Sequence, residues 1–334
     1  MATSTTTSTS AATDAAFAAA FVVMWSSGFV GSELGTQVAP ATTLLAWRFP
    51  IAAGLLLLWR FHRRGPRPRI RDIAFQSVIG LLAQGGYLLG VVLAVQLGVP
   101  AGTTALVASM QPIVSGVLAL PVLGERVRLG QWLGLATGFG GVTLVVGGNL
   151  ALTAAVSWWA YALPFGAMAS LVAATLLERK VGSNVTMVDS LAIQCATSVL
   201  LFGALAAATG TLRPVGGAQF WIAVAWMVGL STFGGYGFYW ATLRRSGIAR
   251  LSSLLYLTPA TTALWTSLMF GEEAGVWALA GMAISGVSVL LVYRPARLST
   301  NVRSPLAHLA LRSEDEASCE GDGCERRLQS RCSC

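Results

Sequence analysis

From residue 15 to residue 293 the chain alternates between long apolar runs and short polar or basic breaks. A helix rising 1.5 Å per residue needs about 20 mostly apolar residues to cross roughly 30 Å of hydrocarbon. Ten runs of that kind are present, at 15–35, 38–59, 73–94, 100–122, 129–148, 157–178, 187–208, 219–242, 250–270 and 276–293. Inside lipid only helices and closed barrels satisfy every backbone N–H and C=O, and the two-residue alternation of barrel strands is absent. The pattern therefore predicts an all-α integral membrane protein with ten transmembrane helices.

The runs repeat. "QPIVSGVLALPVLGE" at 111–125 is echoed by "TPATTALWTSLMFGE" at 258–272. Pro112 precedes Glu125 by 13 residues, Pro259 precedes Glu272 by 13, and Gly134 and Gly281 each follow their glutamate by 9, all at an offset of 147. "GGYLLGVVLA" at 85–94 and "GGYGFYWATL" at 234–243 form a second pair ahead of the first. Two five-span halves follow, at 15–148 and 157–293, with residues 1–14 and 294–334 expected to be disordered. An odd number of spans per half turns the second half upside down, giving two inverted repeats. Such a pair can pack in two interchangeable ways about one midplane site, the structural basis of alternating access.

Charge orients the chain. Lys and Arg in short loops stay on the cytoplasmic side. With both termini inside, 20 of the 22 basic residues fall on that side, leaving Arg213 in an outer loop and Arg48 within a span. Charged residues make up only 11% of the chain against 54% hydrophobic, where soluble domains carry roughly a quarter charged. The formal charge of +8 faces anionic head groups and calls for no nucleic acid. The expected partners are the bilayer and a small-molecule substrate; a homodimer is left open. The expected location is the inner membrane, multi-pass.

"MWSSGFVGSE" in the first span, "TTLLAWRFPIAAGLLL" in the second and the paired "P…GE…G" endings resemble the two EamA-type repeats of the drug/metabolite transporter superfamily, over roughly residues 15 to 293. The resemblance implies a ten-helix carrier, often an exporter of amino acids, metabolites or toxic small molecules, with a central cavity lined by the first four helices of each half. The chain departs from that pattern at Glu33, where a basic residue often stands, and in having no polar doublet matching Trp25-Ser26 in the sixth span.

Arg48 is the sharpest candidate for substrate binding. An arginine near the middle of a helix costs about 3 kcal/mol to insert, so it needs a partner. That partner is either a substrate carboxylate or phosphate met by the planar guanidinium, or carbonyls of neighbouring helices. Gln84, Gln111, Thr258, Tyr87, Tyr236 and Tyr256 are polar groups at depth; Gln111 and Thr258 immediately precede the repeat prolines, where a carbonyl one turn back loses its donor. Trp25, Trp240 and Trp265 are candidate cavity walls, with Ser26 beside the first. Glu33 reads as a hydrated rim carboxylate or a coupling group, able to pair with Arg48 only if the first helix breaks near Gly28 or Gly31. Glu125 and Glu272 precede helix starts, where a carboxylate offsets the dipole. Glu178 and Asp189 are expected to be solvated at helix ends, and Gly281 to mark close helix contact.

Other chemistries find no support. No G-x-x-x-x-G-K-[ST] loop occurs, and Lys180 is the lone lysine, so secondary transport is expected and not a nucleotide-driven pump. Embedded proteases and transferases need paired carboxylates, or serine with histidine, at depth, whereas His62 and His308 fall in polar segments. Cys319, Cys324, Cys332 and Cys334 lack zinc-site spacing, and no metal or cofactor is expected. The function expected is efflux of an amino acid or related metabolite, with bulky amphipathic drugs as the competing substrate class and an embedded enzyme as a remote alternative. Inversion itself is checked by a cysteine placed at Glu273 in a cysteine-free background. It should react with an impermeant thiol reagent added outside intact cells; reaction solely from the cytosolic side would overturn the inverted repeat.

Overall fold

The computed structural model describes residues 6–63, 68–124, 129–152, 156–183, 185–271 and 275–293, some of them by backbone alone. Every regular element among them is helical: α1 (Thr6–Thr36), α2 (Ala41–Arg63), α3 (Ile70–Gly80), α4 (Tyr87–Gln96), α5 (Ala101–Ser109), α6 (Gln111–Leu123), α7 (Leu129–Leu152), α8 (Ala162–Val181), α9 (Met187–Ala208), α10 (Ala218–Trp226), α11 (Tyr236–Leu255), α12 (Thr258–Phe270) and α13 (Val276–Tyr293). A wider π-type winding joins α3 to α4 over Leu81–Gly86 and α10 to α11 over Met227–Gly235. Seven helical segments among the described residues are long and apolar enough to cross a membrane. The remaining three expected spans fall on α7, on the end of α11 with α12, and on α13, whose side chains are only partly described.

Small and apolar residues at helical spacing build the central seam. Leu45, Phe49, Ala52 and Leu56 form one stripe of α2 and pack with Ala192, Cys195, Phe202 and Ala206 of α9. The Phe49 and Phe202 rings stack 5.3 Å apart. Lipid gives helices no hydrophobic reason to associate, so close fit of this kind is what joins them.

The two "P…G" segments fold alike. In each, a proline occupies the first turn, where its missing N–H leaves no bond unmade, and each helix is 13 residues long. Both end on a glycine in the left-handed region, Gly124 at φ 72° and Gly271 at φ 71°, which closes the last turn without a Cβ clash. Glu125 and Glu272 lie outside the described residues, as do His308 and the four tail cysteines.

Corresponding elements also exchange partners. α1 packs on the second π segment, α11 and α12, whereas α8 packs on the first π segment, α4 and α6. α2 pairs with α9, α5 with α12 and α7 with α13.

Three expectations are corrected. α1 starts at Thr6, so the helix reaches well ahead of residue 15; Asp14 there pairs with Arg245 at 2.8 Å, and that guanidinium lies over the Phe17 ring. α11 runs through 243–249, where a loop was expected. The first half breaks at the matching place with Pro100 and the positive-φ Gly98, but "RRSGIAR" has no proline, and one glycine costs a helix only about 1 kcal/mol. Asp189 is not solvated: it is buried, caps α9 through Thr186 and pairs with Arg60. Glu178 is half-buried and accepts from Gln76 Nε2 at 3.2 Å.

Gly281 sits where α13 crosses α7, and a Cβ built there would lie 2.6 Å from the Gly141 carbonyl oxygen. Gly134, its counterpart in the repeat, lies within α7. Gly281→Leu should therefore wedge the two helices apart. The expected loss is about 1–3 kcal/mol, read as a lowered Tm of the detergent-purified protein, and an unchanged melt would remove this contact from the packing.

Candidate functional site

Each π segment ends on a Gly-Gly pair whose following tyrosine opens the next helix, Gly85-Gly86-Tyr87 and Gly234-Gly235-Tyr236. π windings add a residue to a turn, loosen the backbone ladder and recur at functional sites. Here side-chain hydroxyls, one from a neighbouring helix and one from within the segment, satisfy carbonyls of the winding. Ser170 Oγ of α8 donates to the Leu82 carbonyl at 2.8 Å, and Thr232 Oγ1 donates to the Met227 carbonyl at 3.1 Å, five residues back. Glycine on α1 lets the second π segment come close: a Cβ at Gly28 would meet Ser231 Oγ at 2.7 Å, and one at Gly31 would meet Met227 Cγ at 2.9 Å.

Arg48 lies 7 residues from the start of α2 and 15 from its end, nearer the N-terminal end than the midpoint expected from the sequence. It is 3% exposed. Its Nη2 donates to Thr232 Oγ1 at 3.1 Å and to Ser231 Oγ at 3.4 Å. Nε and Nη1 are buried without a hydrogen-bond partner. Hydroxyls thus hold one corner of the guanidinium and leave the rest of its donor edge open. Neutral oxygens solvate a cation without cancelling its charge, so the site retains a positive field.

Arg48 is one wall of a cavity of about 560 Å³, counting open solvent at its mouth, lined by Trp25, Gly28, Phe29, Arg48, Ala83, Gln84, Tyr87, Leu88, Val91, Leu171, Ser231 and Tyr236. Both triplet tyrosines are in the wall. Gln84 Nε2 donates to Tyr236 Oη at 2.7 Å, tying one π segment to the other. Trp25 meets Tyr236 edge-on at 5.9 Å and stacks with Tyr239 at 5.9 Å. Among the described residues the lining is thus one cation, an amide, the hydroxyls of Ser231 and the two tyrosines, aromatic faces and aliphatic side chains, with no carboxylate.

Five sequence-predicted residues meet here: Trp25, Arg48, Gln84, Tyr87 and Tyr236. The others are placed elsewhere. Ser26 is fully buried and donates to the Thr258 carbonyl at 3.3 Å, and the Thr258 hydroxyl turns back to the Leu255 carbonyl. Gln111 bonds Thr175 at 3.1 Å and Ser115 at 3.3 Å, joining α6 to α8. Tyr256 is half-buried at the turn between α11 and α12, and Trp265 packs on Trp226 at 5.4 Å. The side chain of Trp240 lies outside the described residues. α1 is unbroken through Gly28 and Gly31, so the condition for a Glu33–Arg48 pair is not met; the hydrogen bonds of Arg48 go to Ser231 and Thr232.

Ser231 and Thr232 escaped the sequence reading. The sixth span has no polar doublet to match Trp25-Ser26; the doublet stands in the eighth, separated by Phe233 alone from the second Gly-Gly-Tyr. Gln84, which immediately precedes the first triplet, was the available signal.

Comparison with known proteins places the fold and the family. A crystal structure sharing 18% identity matches with a TM-score of 0.61, over 86% of this chain and 99% of that one, a likeness of fold. A protein of Streptantibioticus cattleyicolor named "Probable terminal-alkyne amino-acid exporter" is 26% identical over 276 residues, 82% of this chain and 91% of that protein. The "Uncharacterized inner membrane transporter YedA" of Escherichia coli is 25% identical over 271 residues, 79% of this chain and 86% of its own length. The profile of the EamA-like transporter family matches twice, over residues 14–147 and 157–294. With most of its length matched by that profile, the chain belongs to the EamA-like transporter family: it is an all-α membrane transporter, not an enzyme.

Proposed function

We propose that the chain is an inner-membrane carrier that exports a small carboxylate-bearing solute, an amino acid or a close metabolite, by alternating access. Its two halves, 15–148 and 157–293, are inverted five-helix repeats; ten helices cross the bilayer and both termini lie in the cytosol. The observation that carries the substrate class is the buried, half-satisfied guanidinium of Arg48 lining a cavity with no carboxylate among its described residues. A planar fork with open N–H groups suits a carboxylate, which accepts from two donors at once. Trp25, Tyr87 and Tyr236 supply aromatic walls for an apolar side chain or, through their faces, for an ammonium group. The amino-acid exporter among the relatives supports the same class and the outward direction. Bulky amphipathic drugs would suit tryptophan walls turned inward without the cation, but here Trp25 and Arg48 share one wall.

Two measurements test this. Arg48→Lys keeps the charge and loses the fork, so transport should fall by about tenfold, the worth of about 1.4 kcal/mol, while the amount of protein in the membrane is unchanged; undiminished transport would take Arg48 out of the site. Intracellular and extracellular amino acids and organic acids should also be compared between overexpressing and deletion cells. At least one carboxylate solute should be depleted inside and enriched outside on overexpression, and unchanged levels for all of them would retire the substrate class.

A further inference from the structure

We propose that transport is an exchange: the carrier returns across the membrane only with a second small carboxylate bound, so that export of one anion-bearing solute requires import of another. The proposal rests on the carboxylate-carrier reading and adds to it the rule for the empty protein.

The reasoning starts from what Arg48 lacks. The residue is buried, Nε and Nη1 have no hydrogen-bond partner, and the two groups that do hold it are the neutral hydroxyls of Ser231 and Thr232. No described lining residue of the cavity is acidic. Those N–H groups are shielded from bulk solvent here, and opening the cavity further to either side would bring water to them. Between the two open states the site must close from both sides, and what solvates the cation is then only what is trapped with it. A loaded carrier closes over a guanidinium–carboxylate pair. An empty one closes over an uncompensated cation, the arrangement that burial penalises most.

Other groups do not supply the missing charge. α1 is continuous, so Glu33 is held at a different level of the helix, near its end at Thr36. Asp189 is committed to Arg60 and to the cap of α9. Glu178 accepts from Gln76. Among the described residues, then, the compensating charge comes from the cargo. The barrier for the empty carrier exceeds that for the loaded one, and the return step is fast only when a second carboxylate fills the site. A tenfold difference in rate corresponds to about 1.4 kcal/mol, a small part of what an unpaired buried cation costs.

The experiment uses the full chain in proteoliposomes, loaded with a radiolabelled mixture of L-amino acids in chloride-free sulfate buffer. Efflux is timed into the same buffer, either empty or containing the unlabelled mixture. The expected result is efflux at least ten times faster into the unlabelled mixture. Equal rates on the two sides would overturn the exchange while leaving the carrier reading intact, and no flux of any amino acid in either condition would overturn both. Arg48→Lys should keep the ratio at a lower absolute rate, because it keeps the charge. Arg48→Gln should bring the ratio close to one, because the empty site no longer buries a cation; a tenfold ratio retained in that variant would overturn the part assigned to Arg48. If Arg48→Gln carries nothing measurable, Arg48→Lys decides alone: a kept ratio supports the proposal and a ratio of one overturns it.

Discussion

A cation inside a helical bundle has to be answered by something, and much of the interior of this protein is arranged around the partial answer given to Arg48. Lipid offers no hydrogen bonds, so each polar group at depth must find its partner on a neighbouring helix. The guanidinium finds two hydroxyls, and both come from a stretch wound too widely to be an α-helix. That winding is itself supported by Thr232, whose hydroxyl donates to the Met227 carbonyl while accepting from Arg48. The approach of the stretch depends in turn on Gly28, since any side chain there would collide with Ser231. Glycine on α1, a π winding and a serine-threonine pair are thus successive requirements of one charge.

The same devices appear in the other half with different chemistry. The first π segment also ends on Gly-Gly ahead of a tyrosine and also faces the first helix of the opposite half, α8, which supplies Ser170 to the Leu82 carbonyl. It offers the cavity an amide, Gln84, where its counterpart offers Ser231. The Gln84–Tyr236 hydrogen bond joins the two windings across the cavity. Interhelical hydrogen bonds in membranes are worth only about 0.6 kcal/mol on average. This one orients the tyrosine without locking the two windings together.

What could be read in the sequence followed from how strongly each feature was encoded. Apolar runs mark helices by length alone, but the helix starts beside Pro112 and Pro259 fall inside the single spans expected at 100–122 and 250–270, because an apolar run continues straight across them. Arg48, Gln84, Tyr87, Tyr236 and Trp25 stood out as polar or amphipathic groups in apolar surroundings, and they converge on one cavity. Ser26, Thr258 and Gln111 stood out for the same reason, yet they tie helices together. Nothing in a one-dimensional pattern separates a hydroxyl that faces a cavity from one that faces a carbonyl. The π windings were invisible, since no residue type forces an extra residue into a turn. Asp189 was misjudged because its partner, Arg60, sits on another helix and 129 positions away in the chain. The Gly-Gly-Tyr triplets were legible as a repeat but gave no hint that the residues just before them build the site.

The α2–α9 seam that carries Arg48 is fastened differently at its two ends, and the difference bears on how such a cavity can open. Near the start of α2, Thr43 Oγ1 donates to the Thr211 carbonyl at 2.7 Å, Thr42 pairs with the Thr211 hydroxyl at 2.7 Å and Trp47 Nε1 donates to the Leu212 carbonyl at 3.0 Å. Near the other end Arg60 pairs with Asp189, and Gln194 donates to Gln76, which in turn donates to Glu178. The first fastening is made of neutral groups, insensitive to salt. The second includes a formal ion pair, whose strength depends on screening and on how far water penetrates. Separating the helices at the neutral end exposes hydroxyls that water satisfies at little cost. Separating them at the charged end first has to hydrate two ions, and once they are hydrated their attraction largely disappears. Opening at that end is therefore the more switch-like of the two: resisted while the pair is dry and weakly opposed once it is wet. The seam is thus held by neutral hydrogen bonds near one end of α2 and by an ion pair near the other, with the half-satisfied cation of Arg48 between them.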